Sequence, residues 1–202
     1  QTGVFTRRGC ERVIRYAFEL ARKRGSQKPV ASITKSNAQG YGMVVWDCAF
    51  ERVAADYPEL PTMSLLVDAA AMEFVRRPEA FDLVVASNLF GDILSDMAAI
   101  ITGSIGLAAS GNINPDGEQP SMFEPVHGSA PDIAGKGVAN PLAAILSAAM
   151  MLEHLGQAAE AEAIQKAVLL VIERREMLSS DMGGTATTQQ VGDAVLSALG
   201  SV

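Results

Sequence analysis

The stretch Phe81-Asp82-Leu83-Val84-Val85-Ala86-Ser87-Asn88-Leu89-Phe90-Gly91-Asp92-Ile93-Leu94-Ser95-Asp96 decides the fold class. Its first part, Phe81–Ser87, is a short apolar run and predicts a buried strand. Asn88 stands where a helix N-cap belongs, and the apolar residues after it predict a helix to about Ile101. A strand that runs straight into a helix is the building unit of α/β proteins.

Working back from this stretch, the same alternation recurs. Apolar spacing predicts a helix over Arg7–Lys23, closed by Gly25, then a strand over Pro29–Thr34. Trp46–Asp56 reads as a helix stopped before Pro58, Leu60–Leu66 as a weak strand, and Val67–Arg76 as a helix ending at Pro78. Working forward, Thr102–Asn140 is dense in Gly, Pro, Asn and Ser and reads as one long loop, a length that usually marks function. Three helices follow, Pro141–Leu155, Ala158–Arg175 and Thr188–Leu199. Pro141 suits a first turn, and Thr187-Thr188-Gln189-Gln190 fits a capping box. The class is α/β, but the second half offers almost no strands for its helices to cover.

Composition narrows the function. The 202 residues are 49% hydrophobic, which excludes a disordered chain. A net charge of −7 argues against nucleic-acid binding. The eight basic and two acidic residues in 1–28 are read as one exposed helix face. Met97–Pro115 carries no charge, but its glycines, serines and asparagines make it a poor lipid-facing helix, so no membrane segment is expected. Cys10 and Cys48 form no disulfide or zinc pattern, which fits a reducing, cytoplasmic setting. The chain starts Gln-Thr-Gly-Val-Phe-Thr rather than with Met, and is expected to begin inside a longer protein.

Three segments carry chemistry. Asp92 and Asp96, four apart on the predicted helix, share one face. They read either as a solvated face or as two hard-oxygen ligands for Mg²⁺ or Mn²⁺. Lys35, in Thr34-Lys35-Ser36-Asn37, follows a strand at the edge where α/β proteins place their sites. It reads as a proton carrier if carboxylates stand nearby and otherwise as a surface lysine. The third segment, Glu124–Pro141, sets His127 and Asp132 among glycines and prolines. Small residues permit close backbone approach, and an acid can pair with ribose hydroxyls. The segment is neither a Walker A loop nor G-x-G-x-x-G, so any nucleotide site here is not of Rossmann type.

Together, Asn88–Asp96, Glu124–Pro141, Lys35-Ser36-Asn37-Ala38 and Gly42-Met43 through Trp46-Asp47 resemble the β-decarboxylating dehydrogenases. Asn112-Ile113-Asn114-Pro115 and Pro120–His127 are most similar to the branch acting on tartrate and D-malate. The resemblance implies an isocitrate/isopropylmalate dehydrogenase-like fold. Residues 1–103 would form most of a small, dimer-forming domain, and 104–202 the C-terminal part of an incomplete large domain. It implies Asp68, Asp92 and Asp96 as metal ligands, Lys35 as the proton-relay lysine, and Lys35, Asp68 and Asp92 as catalytic residues. Lys35 and Asp68 would reach the active site of the partner subunit of a homodimer. Glu124, His127, Gly128, Ser129, Ala130, Asp132 and Asn140 would hold NAD, with Asp132 on the adenosine ribose and opposed to a 2′-phosphate. Mg²⁺ or Mn²⁺ would be the metal, K⁺ an accessory cation, and a 2-hydroxy diacid the substrate. 3-Isopropylmalate is the alternative substrate. The family's substrate-binding arginines and protonating tyrosine are expected upstream of Gln1, so the isolated chain is expected to be inactive. Around Gly40–Tyr41 and at Cys48 the chain departs from the family pattern without losing a matched catalytic residue.

Overall fold

The computed structural model describes residues 2–201. The chain divides into two compact units, Gln1–Ile101 and Thr102–Val202.

The first unit is a three-stranded parallel sheet with helices. Helix α1 (Arg7–Arg24) starts where Thr6 Oγ1 accepts the Gly9 N–H and stops at Gly25, whose φ of 63° reverses the chain. Its basic residues are largely paired at the surface, Arg15 with Asp56 and Arg22 with Glu59 among them. That agrees with one solvated helix face.

Strand β1 (Val30–Thr34) is the centre of the sheet and is buried at all five positions, as a strand covered on both faces must be. Strand β2 (Thr62–Leu66) lies on one side of it and β3 (Leu83–Val85) on the other, both parallel. Helix α2 (Gly42–Ala54) joins β1 to β2, α3 (Val67–Arg76) follows β2 directly, and α4 (Asn88–Thr102) follows β3. Phe18, Ile14, Ile33, Met43 and Val53 fill the core between these layers.

Helix α2 begins a turn before the Trp46 expected from sequence. Gly42, its first residue, is where the Phe5 ring crosses the helix; a Cβ there would lie 2.5 Å from the ring. Helix α4 also starts slightly early, with the Ser87 carbonyl accepting the Gly91 N–H. Asn88 is therefore inside the helix rather than its cap.

The second unit corrects the reading of 102–140 as pure loop. Strands β4 (Ala109–Asn112) and β5 (Met122–Pro125) form an antiparallel pair. The usual alternation is hidden because β4 packs through Gly111. A Cβ there would stand 3.1 Å from the Phe123 ring and 3.2 Å from Met150 Sδ. Helices α5 (Leu142–His154), α6 (Ala158–Arg174) and α7 (Thr188–Leu199) follow. They bury Leu142, Val168, Val171, Val191 and Val195 against one another, so they supply much of their own cover. Pro141 is the N-cap of α5 rather than its first residue. The Thr187/Gln190 capping box forms as the sequence predicts. Among the described residues no helix is long and apolar enough to cross a membrane.

Candidate active site

The sheet order β2-β1-β3 gathers the chemistry of the first unit. The chain passes from β1 to β2 on one side and then crosses back to β3 on the other, and in such sheets ligands bind beyond the carboxyl ends of the strands where the order switches. Lys35 follows β1, Asp68 is the second residue of the helix after β2, and Asp92 lies in the first turns of the helix after β3. The register sets Thr34 beside Leu66, which carries Lys35 and Asp68 to neighbouring positions.

Lys35 is fixed by its backbone. Its carbonyl accepts both the Ala38 and Gln39 N–H groups. Its Nζ donates to Asp68 Oδ1 at 2.6 Å. The lysine side chain is 25% exposed and the aspartate 65%, so the pair sits at an open edge where a ligand can displace one partner. The Lys35 hydrogen bond, helped by the N–H groups of Asp68 and Ala69 at the start of α3, holds the Asp68 carboxyl below its ordinary range.

Asp92 and Asp96 are both exposed on α4. The Asn88 amide approaches Asp92 Oδ2 at 3.5 Å. Phe90 and Leu94 point inward, at 7% and 3% exposure, whereas Leu89 and Ile93 stand 62% and 53% exposed beside the two aspartates. The outer face of α4 is thus a mixture of carboxylates and bare apolar side chains. Among the described residues no three His, Cys, Asp or Glu side chains are placed to hold one metal ion. The described residues pair Asp68 with Lys35 and present Asp92 with Asp96, and among them no three-carboxylate set is assembled.

The second unit displays the Glu124–Pro141 segment. Glu124 is exposed on β5 opposite Ser110. His127 is half-buried, and its Nδ1 lies 3.0 Å from the Gly128 carbonyl. A carbonyl only accepts, so this contact puts the proton on Nδ1 and leaves Nε2 as an acceptor. Gly128, Ser129, Ala130 and Asp132 are exposed. Ala130 has φ of 40°, a left-handed conformation costly for a residue with a Cβ. Strain of this kind collects at ligand clamps. Asn140 is instead 9% exposed, and both ends of its amide are engaged within the protein.

Sequence reasoning passed over Ser104, Asp181 and Thr188, which hold the far end of this segment. The one local signal was Gly183-Gly184 in an otherwise unpatterned connection.

Residues 1–195 match the family model described as isocitrate/isopropylmalate dehydrogenase. The chain is 52% identical, over 98% of its length, to a probable tartrate dehydrogenase/decarboxylase of Bacillus subtilis, covering 55% of that protein. It is 50% identical, over 96% of its length, to a 3-isopropylmalate dehydrogenase of Thermobifida fusca, covering 54% of it. Among solved structures, an isocitrate dehydrogenase from Methylococcus capsulatus superposes with a TM-score of 0.92 at 42% identity, over 98% of this chain and 58% of that one. The chain spans about half the length of the curated relatives it matches.

Proposed function

The chain belongs to the isocitrate/isopropylmalate dehydrogenase family, and from that premise we propose that it serves an NAD-dependent oxidative decarboxylation of a 2-hydroxy diacid such as D-malate or tartrate. The observation that carries the reading is the Lys35–Asp68 contact at the carboxyl edge of a parallel sheet whose third strand leads into the helix bearing Asp92.

Asp92 and Asp96 offer hard oxygens, one helical turn apart on an exposed face, which suits Mg²⁺ or Mn²⁺. A third carboxylate has to come from elsewhere. In a homodimer the partner copy of the Lys35–Asp68 edge supplies it, and the exposed Leu89 and Ile93 beside the aspartates support such an apposition. When bound, the metal polarises a carbonyl oxygen and steadies negative charge as CO₂ departs. Lys35 takes the C2 hydroxyl proton as hydride leaves that carbon for NAD⁺. For this it must first give up its own proton, and until then the 2.6 Å contact with Asp68 holds its ammonium group in place.

The cofactor fits the exposed loop. Asp132 offers acceptors to ribose hydroxyls, His127 keeps Nε2 as an acceptor while its Nδ1 meets the Gly128 carbonyl, and the exposed Gly128–Ala130 turn allows close approach. Lys136 is the one cation within Glu124–Pro141, so discrimination against NADP⁺ rests on Asp132. K⁺ as an accessory cation and a cytoplasmic setting belong to the same reading.

The 50% identity to a 3-isopropylmalate dehydrogenase favours that substrate as the second reading. Turnover of the purified protein with D-malate, tartrate and 3-isopropylmalate, each with NAD⁺ or NADP⁺ and Mn²⁺, separates the two. In the complete enzyme, Asp92→Asn should lower Mn²⁺-dependent turnover at least about a hundredfold. Near-normal turnover in that variant would sink the metal assignment, and equal use of NADP⁺ by the unaltered protein would sink the role given to Asp132. A protein inert with every substrate would favour a non-catalytic fragment.

A further inference from the structure

The Gly128–Asn140 loop is free along most of its length and tied at one end. Among the described residues, the hydrogen bonds of its first part are local: Ile133 N–H to the Ala130 carbonyl and Lys136 N–H to the Ile133 carbonyl. From Gly137 onward the partners come from much later in the chain.

Two side chains make these ties. Asn140 Nδ2 donates to Asp181 Oδ2 at 2.9 Å, while Asn140 Oδ1 accepts the Leu142 N–H at 3.0 Å and so starts α5. The Ser104 hydroxyl donates to the same Asp181 oxygen, and its Oγ accepts the Gly106 N–H at 2.9 Å. Asp181 is at the surface, but its carboxylate rests on Ser104 and Asn140, which are 4% and 9% exposed. Gly106 closes the cluster from below. A Cβ there would lie 2.6 Å from Asp181 Oδ2 and 2.8 Å from Asn140 Cβ. Thr188 makes the second tie. Its N–H donates to the Gly137 carbonyl at 2.9 Å and its hydroxyl to the Ala139 carbonyl at 2.6 Å.

The segment bearing Asp181 and Thr188 is itself stiff. Gly183 reverses the chain at φ of 80°, and Gly184 lies so close to the Leu178 carbonyl that a Cβ would stand 1.9 Å from it. Gly184 and Ala186 donate back to the Ser179 and Leu178 carbonyls, and the Thr187 capping box locks the start of α7. A rigid bracket thus grips one end of an otherwise loosely held loop.

We propose that Asp181 and Thr188 are positioning residues for the cofactor loop. By fixing Gly137–Asn140 they set the register from which Asp132 and the strained Ala130 turn meet the adenosine end of a dinucleotide. The ordering of that end is met during folding rather than on binding, which raises affinity without a direct contact. This rests on reading the loop as the NAD site, and it goes further by assigning its precision to residues outside it.

Thr188→Val removes only the hydroxyl tie, Thr188→Ser keeps it, and Asp181→Ala removes both bonds to the carboxylate. Each purified variant is studied at a temperature where circular dichroism shows it folded. Amide hydrogen exchange at residues 137–142 and NAD⁺ affinity by calorimetry are the readouts, with Mn²⁺ affinity as the control. Thr188→Val and Asp181→Ala should each speed exchange at 137–142 and weaken NAD⁺ binding about tenfold, the worth of one good hydrogen bond. Thr188→Ser should match the unaltered protein, and Mn²⁺ affinity should hold throughout. Unchanged exchange would overturn the bracket. Faster exchange with unchanged NAD⁺ affinity would overturn its positioning role. Absence of NAD⁺ binding by the unaltered protein, with exchange responding as expected, would overturn the cofactor reading and this role with it.

Discussion

Ser32→Ala is the sharpest test of how the strand carrying Lys35 is held. Ser32 lies mid-strand in β1, fully buried, and its Oγ accepts the Trp46 indole N–H at 2.9 Å. Trp46 is 2% exposed, and an indole N–H can only donate. Removing the hydroxyl therefore strands a buried donor, at a cost of about 1–3 kcal/mol. For a cooperative unit of about a hundred residues, each kcal/mol lowers the midpoint by roughly 4–8 °C. Trp46 is the only tryptophan in the chain, so its fluorescence follows the first unit in the Ser32→Ala variant, while far-UV circular dichroism follows unfolding in every background, including those that lack Trp46. A double-mutant cycle isolates the hydrogen bond. In a Trp46→Phe background the donor is already gone, and Ser32→Ala should then cost about 0.5 kcal/mol or less. If Ser32→Ala costs the same with and without the indole, the hydrogen bond does not anchor α2 to β1 and the reasoning fails.

Three further outcomes follow from local geometry. Gly91 sits within α4 with open space where a Cβ would go, so Gly91→Ala should stabilise the first unit by about 0.5–1 kcal/mol in thermal melts. A loss of stability would mean that space is filled by something other than this chain. Gly106→Ala has the opposite setting, with its Cβ driven onto Asp181 and Asn140. It should destabilise the second unit by about 1–3 kcal/mol, measured by urea unfolding, and a neutral result would contradict the tight cluster. In Lys35→Met the Asp68 carboxyl should titrate higher than in the unaltered protein by carbon-13 NMR, because the largest of the contacts that lower it is gone. Because Lys35 depresses that value in the fold, the pair adds stability above the ordinary value and loses it as pH falls through the depressed one. The variant's acid unfolding limb should accordingly be shallower, and an unmoved Asp68 titration would refute the pairing.

The fold is legible in the sequence where one segment contains its own instructions. The bounds of α3 and the Thr187 capping box depend on residues a turn apart, and both appear as expected. The misreadings share a different cause. Gly42 and Gly111 look like interruptions because the groups that need their bare backbone, Phe5 and Phe123, are elsewhere in sequence. Asp181 was invisible for the same reason. Its partners Ser104 and Asn140 are 77 and 41 residues away, and hydrogen bonds over such spans leave no periodic trace.

The two units reach precision by different physical routes, and this predicts how each fails. In the first, the strand order itself sets Lys35 beside Asp68 and places Asp92 on the helix after β3, through backbone bonds of a sheet buried on both faces at β1. Their side chains stand at the edge and add little to that order. Substitutions at Lys35 or Asp68 should therefore remove chemistry while leaving the unfolding of that unit nearly in place. The second unit has no parallel sheet edge to present its loop. Register there depends on side-chain ties from Asp181 and Thr188 and on the closeness that Gly106 and Gly184 allow. Changes at those positions should move stability and NAD⁺ affinity together, whereas changes at Asp132 should move affinity alone. Residues that build a site and residues that act in it are thus separable in the first unit by topology, and in the second only by comparing the two measurements.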